Sequence, residues 1–420
     1  MKPQSVLTVP IAALVLSGTS GMVLADTSDV KGTAPLIVAK SGKHCKDDPN
    51  CFNRIHYAVK AAAHVKPGQQ FVLETRDGLD SDLDFNSTAA DVAAVNLNRC
   101  HPLTGPVYIE GAKRGDAIAV TVVDIAPDEF GTTTIVPGFG FLRDQFPDPY
   151  IVHWELNRLE ARSKDMPGVA VPMNAFMGTV GVLPDKPELE KWLKREKALA
   201  AAGGVVLLPQ PVDALPSALC GVDGTAKSEC MRTVPPRENG GNTDTKESAV
   251  GTTLLFPCYI DGCGLFAGDV HFAMGGGEVA GTAIEMGAKV RLQARVIPGG
   301  ASRYTTMHIE GGSQLKKLAP SSFYAISGLP LKPEGELPVF STYLGGHKIA
   351  PLANLSEDLT LAARNATLNM IDFLVNTKGL TREQAYVLVS VAVDLNIAQV
   401  VDVPNVGVTA ILNRDVFKPE

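Results

Sequence analysis

Long apolar runs are missing from this chain of 420 residues, and its mean hydropathy of +0.09 excludes a polytopic membrane protein. An excess of positive charge is missing as well. Lys and Arg number 38 against 45 Asp and Glu, a formal net charge of −7, so no broad basic surface is offered to nucleic acid. No Walker-A segment occurs and no GxGxxG follows a clear strand, which leaves nucleotide cofactors unsupported. A Gly-x-Ser-x-Gly nucleophile elbow is also absent, and neither repeats nor low-complexity tracts are visible. What is there is globular. Apolar residues make up 45% and charged residues 20%, in a chain long enough for two or three subregions around substantial cores.

The first residues read as a secretory signal over 1–25. Lys2 supplies a charged start, Val6–Leu16 is mainly apolar, and Val23-Leu24-Ala25 gives small residues at a cleavage site. That run is too short and broken for stable membrane insertion, so the expected location is periplasmic or secreted. Cysteine usage agrees. Seven cysteines fall as Cys45/Cys51, Cys220/Cys230 and Cys258/Cys263, with Cys100 left over. Spacing does not fix connectivity, but near neighbours pair readily in an oxidising compartment. Cys258 and Cys263 flank the turn signal Asp261-Gly262, either as a loop staple or as two buried thiols.

Strand-like alternation fills much of a β-rich stretch at 26–184, as at Phe71–Thr75, Val107–Glu110 and Ile118–Ile125, while Gly131–Gly140 reads as a loop. Within 185–235, Asp185–Ala202 is a charged helix stopped by Gly203-Gly204, followed by a loop-rich connection holding the Cys220/Cys230 pair. Further strands are expected in 236–330 at Thr252–Ile260, Glu278–Met286 and Ala288–Val296. The 331–420 region is α+β. Ser356 is placed to cap a helix carrying Leu359, Ala363, Ala366 and Met370. Thr381 and Gln384 form a capping box for a second helix through Asp394, before strands at Ile397–Val403 and Val406–Leu412. The fold class is α+β, predominantly β with a smaller helical C-terminal portion.

Chemistry concentrates between Pro235 and Glu285. The stretch holds Gly240-Gly241-Asn242-Thr243-Asp244, Gly268-Asp269-Val270-His271, Gly275-Gly276-Gly277-Glu278 and Gly281-Thr282-Ala283-Ile284-Glu285. Each acid or imidazole lies within a few residues of a glycine, as suits side chains projected from tight turns at strand ends into a cleft.

These motifs resemble the acetamidase/formamidase family of amide hydrolases. The resemblance extends to His101-Pro-Leu-Thr-Gly-Pro-Val-Tyr-Ile-Glu-Gly-Ala-Lys-Arg-Gly-Asp116, to Pro172-Met-Asn-Ala-Phe-Met-Gly-Thr-Val-Gly-Val182 and to Ser390–Val403. Four blocks in the expected order span most of Gly32–Val408. The resemblance implies a β-rich core, homo-oligomers and hydrolysis of the C–N bond of small linear amides with release of ammonia. Two departures stand out. Where the family carries Gln-Gly-Asp-Gly-Glu, this chain has Met274-Gly275-Gly276-Gly277-Glu278, and typical relatives lack an export signal. The alternative reading is a non-catalytic periplasmic binding or structural protein on the same scaffold.

Hydrolysing an unactivated amide requires a nucleophile, a stabilised oxyanion and a protonated leaving group. Glu278, Glu285 and His271 are the candidate catalytic residues, since a desolvated carboxylate gains a useful pKa. Asn242 and the Gly241 backbone are candidates for binding substrate. Asp244, Asp269 and His271 are candidate ligands for a divalent metal, zinc or calcium, because residues two apart on a strand share a face. Plainer readings stand beside these. His271 would be a core histidine oriented by Asp269, the glutamates would pair with Arg291 or Arg237, and Gly240-Gly241 would be only a turn. His101 heads the TGP-containing segment and could border the pocket, but a single histidine before proline favours a surface or turn role.

Overall fold

Alternation of buried and exposed residues makes the Glu285–Ile297 strand, in which Met286, Ala288, Val290, Leu292 and Ala294 are buried while Lys289, Arg291 and Arg295 face out. Each fully buried Val or Leu contributes about 1.5–3 kcal/mol of transfer free energy, enough to fix the register of such a strand. The computed structural model describes residues 34–313, 316, 319–337 and 346–418. Its large sheet runs through Ala170–Pro172, Glu160–Arg162, Tyr150–Leu156, Ala117–Ile135, Glu285–Ile297, Leu265–His271, Phe176–Val182 and Gly240–Asn242, with antiparallel neighbours along this path. Strands from the stretches 26–184 and 236–330 therefore interleave in one sheet.

The C-terminal part adds a three-stranded sheet ordered Phe323–Gly328, Gly407–Asn413, Val393–Gln399, with the Leu359–Lys378 helix packed on it. The architecture is α+β and sheet-dominated, as expected. The Lys186–Ala201 helix starts where Asp185 accepts a hydrogen bond from the Glu188 N–H at 2.9 Å. All three near-neighbour cysteine pairs are bonded, and Cys100 is a buried free thiol. Among the described residues no helix is long and apolar enough to cross a membrane. The signal reading over 1–25 lies outside the described residues.

Several boundaries move. Gly131–Ile135 is not loop but the end of the Ala117–Ile135 strand, paired with Tyr150–Trp154. The buried Thr133 hydroxyl there donates to Ala283 O at 2.7 Å and accepts from Trp154 Nε1 at 3.0 Å, so a polar run is satisfied inside the sheet. Residues 278–284 form turns, not strand, because Gly277 and Gly281 take positive φ, and pairing begins only at Glu285. Asp358, not Ser356, caps the Leu359–Lys378 helix, accepting from the Leu361 N–H at 2.9 Å. The Thr381/Gln384 capping box forms, but its helix ends at Ala392, and the strand begins at Val393 and ends at Gln399. β-Branched Val393 and Ile397 join the ladder to Gly407–Asn413.

Candidate active site

Sheet register assembles the site. His271, last in the Leu265–His271 strand, lies directly opposite Glu285 on one neighbour and Phe176 on the other, so the three form a row on one face. The Phe176 ring meets the imidazole edge-on, with centroids 5.1 Å apart. The next strand over pairs Asn242 with Thr179, whose hydroxyl donates to Asn242 Oδ1 at 2.6 Å and lies 3.1 Å from Asp269 Oδ2.

Carboxylates surround this imidazole. Glu285 Oε1 is 3.2 Å, Asp269 Oδ1 3.6 Å and Glu278 Oε1 3.8 Å from His271 Nε2, while Asp244 Oδ1 is 4.0 Å from Nδ1. None is aligned for a hydrogen bond of good geometry, so both buried ring nitrogens, Asp244 Oδ1 and Glu285 Oε2 lack hydrogen-bond partners. Side-chain exposure divides the acids. Glu278 and Asp244 are 19% exposed, against 5% for Glu285 and Asp269, so the first two face the solvent side.

Backbone strain accompanies this geometry. Asp244, Asp269 and Glu278 have φ of 44°, 52° and 44°, a left-handed region that side-chain-bearing residues enter at about 1–3 kcal/mol each. Close approach matters as well. A Cβ at Gly178 would lie 2.6 Å from His271 Cε1 and 2.8 Å from Asp244 Oδ1. A Cβ at Gly78 would lie 2.2 Å from Asp269 Oδ1 and 3.1 Å from Glu285 Oε2. Glycine at both positions leaves the room these side chains occupy.

The charges are strongly coupled. Burial, then the neighbouring Asp244, pushes the Glu278 carboxyl well above its ordinary range, with His271 opposing. Asp244 is raised to about 7, chiefly by burial, again against His271 and with Asp269 and Glu285 adding to the rise. Burial also raises Glu285. Burial raises Asp269 too, but the His101 and His271 imidazoles overcome this and hold it below the usual carboxylate range. Burial lowers His271, yet Glu285 and Asp269 outweigh it and keep the imidazole protonated well above its ordinary value.

Asp244, Asp269, His271, Glu278 and Glu285 come together, as the glycine-flanked pattern implies. Asp244 and Asp269 sit at opposite nitrogens of His271, in two overlapping groups of potential metal ligands: Asp244–His271–Glu278 and Asp269–His271–Glu285. Within each group one ligand atom per residue lies within 4.8 Å of the others. The Asn242 amide is engaged in holding Asp244, donating to its Oδ2 at 2.9 Å, and Gly241 is paired with Val180 in the edge strand. Arg237 does not pair with a site glutamate; its ion pair is with Glu196, at 2.7 Å.

Sequence reasoning ranked His101 as surface or turn above pocket, and missed Thr179, Gly78 and Gly178. His101 is no surface residue: its side chain is 14% exposed, with Nε2 3.9 Å from Asp269 Oδ2. Its pKa is lowered, chiefly by burial. The available signal was its place at the head of a block already singled out. Adjacent Cys100 is buried and its thiol is pushed up by burial, then by Asp269, the opposite of an activated nucleophile.

The pattern of the acetamidase/formamidase family matches residues 38–419. The chain is 34% identical over 363 residues to an acetamidase of Mycolicibacterium smegmatis, covering 80% of this chain and 84% of that one. It is 30% identical over 392 residues to a formamidase of Methylophilus methylotrophus, covering 90% and 91%. Among solved structures, a gamma lactamase from Delftia acidovorans superposes with a TM-score of 0.81 at 31% identity, over 91% of this chain and 94% of that one.

Proposed function

Because the chain belongs to the acetamidase/formamidase family and is an amide hydrolase, we propose that it releases ammonia from small linear amides through the cluster around His271. One observation carries this reading: four carboxylates converge on one buried imidazole, and two of them, Glu278 and Asp244, face the solvent side. Glu278 takes the proton of the attacking water as its oxygen bonds to the amide carbon. The same carboxyl then returns that proton to nitrogen as the C–N bond breaks, leaving ammonia and a carboxylic acid. Asp244, oriented by Asn242, shares the wet side and helps hold the water. Glu285 and Asp269 fix His271 in place from the dry side.

With the His271 imidazole neutral, Asp269, His271 and Glu285 suit a divalent ion. The set offers two carboxylates and an imidazole, a mixed oxygen and nitrogen environment fitting zinc better than calcium, and the Glu285 Oε2 and His271 nitrogens lack hydrogen-bond partners. When bound, such an ion acidifies water and polarises a carbonyl. Export to an oxidising compartment is supported by the signal-like start and the three disulfides. The test is ammonia release from formamide and acetamide by purified protein with measured metal content, compared with Glu278→Gln. Wild-type activity at or below that of the variant would remove the reading.

A further inference from the structure

A cavity of about 540 Å³ reaches the acid cluster at Asp244. Asp244 belongs to both. Met274 forms part of the cavity wall and packs with Phe176, whose ring touches His271 edge-on. Leu395, Ile411 and Pro320, from the C-terminal part, provide further apolar lining. In liquid water each molecule occupies about 30 Å³, so formamide or acetamide, with three or four heavy atoms, would leave most of this space to solvent.

The charged rim narrows the choice. Its lysine, Lys246, is ion-paired with Asp394, which also accepts a hydrogen bond from the Gly276 N–H at 2.9 Å. Glu247 adds further negative charge, so a carboxylate on the substrate would have to displace Asp394 from Lys246. An uncharged apolar group meets no such barrier and is rewarded for leaving water.

Resting on the hydrolase reading above, we infer that this site prefers uncharged amides whose acyl chain is several carbons long, with Met274, Leu395 and Ile411 gripping the chain and the amide placed at Asp244. Each methylene moved from water to this wall is worth about 0.8 kcal/mol, or about fourfold in kcat/KM. Hexanamide, with eight heavy atoms, occupies about 240 Å³ by the same measure and fits.

The experiment is a series of formamide, acetamide, butyramide and hexanamide on wild type, read both as ammonia release and as binding by calorimetry. The expected result is kcat/KM rising two- to fourfold per methylene to hexanamide, with succinamate at least tenfold poorer than butyramide. Met274→Gln should flatten that slope, while the wild-type series stands without the variant. Turnover greatest on formamide or acetamide and falling with length would overturn the inference and leave the hydrolase reading intact. No turnover at all, with affinity still tightening along the series, would sink the hydrolase reading but uphold the ligand class. No turnover and no tightening would defeat both.

Discussion

Replacing Gly178 with alanine adds one methyl group where three parts of the site meet. The new Cβ would lie 2.6 Å from His271 Cε1, 2.8 Å from Asp244 Oδ1 and 2.8 Å from Asp269 O, against ordinary carbon contacts of about 3.5–4.0 Å. Relief therefore needs shifts of roughly 1 Å. The Asp269 carbonyl belongs to the sheet and cannot move far, so the imidazole and the Asp244 carboxylate must give way. Gly178 itself is not in the positive-φ region, so alanine imposes no backbone strain and the fold should survive. Overpacking of this kind costs about 1–3 kcal/mol in stability. A misplacement of about 1 Å at reacting groups costs about 100-fold in rate. Ammonia release and urea unfolding should be measured together, with Gly407→Ala as control, since a Cβ at Gly407 meets nothing closer than 3.7 Å. The expected outcome is a small stability loss in Gly178→Ala beside a loss of about 100-fold in kcat/KM, with the control near wild type. Wild-type kinetics in Gly178→Ala would refute the argument, because they would mean that His271 and Asp244 are not where the chemistry happens.

Glu278→Gln should fold normally and lose about 10²–10⁴ in kcat, since the amide keeps the shape but cannot carry the proton; ammonia release checks it. Asp80 is raised to about 6, chiefly by burial, so its charged form is disfavoured in the fold and stability falls as pH rises from its unfolded pKa, about 3.9, through 6. Asp80→Asn retains an acceptor for the Cys45 N–H and should therefore be more stable by about 1–3 kcal/mol at pH 7–8, with the gain vanishing near pH 4, as followed by thermal unfolding. On the export reading, the mature protein should begin near Asp26 and gain about 6 mass units on reduction of its three disulfides, and reduction should lower its melting temperature; seven free thiols and a retained Met1 in an intact-mass spectrum would count against both export and pairing.

Much of this molecule could be read from local chemistry. Asp185 before a charged helix, the Thr381/Gln384 box and cysteines a few residues apart each act over short distances, and each is where the sequence puts it. The acid cluster was readable because its glycines mark turns. What stayed hidden depends on register between distant strands. Glu285 reads as an interior strand residue, yet it matters because it falls opposite His271 as pairing begins. His101 looks peripheral until the strand that follows it, pairing Leu103 with Gly268, brings Asp269 within 3.9 Å. Gly78 and Gly178 carry no functional group at all, and only the side chains that fill their missing Cβ positions reveal them.

The departure at Met274 and Gly276 takes on a different meaning in three dimensions. From sequence, glycine at 276 suggests an acid missing beside Glu278, and with it weakened or lost chemistry. The direction of a side chain at 276 argues otherwise. Its Cβ would point to Asp394, 3.5 Å from Oδ1, and none of its nearest neighbours belongs to the His271 cluster. Glu278 already has a carboxylate neighbour in Asp244, which raises its pKa. A second acid at 276 would instead crowd Asp394 and compete for Lys246, loosening the pair that joins the Asp244–Glu247 loop to the C-terminal sheet. Gly276 and Met274 are thus wall positions of the cavity, and varying them alters what fits beside the acids while leaving the acids themselves in place. On the inference drawn above, the substitutions that first suggested a silent scaffold bear on the choice of substrate.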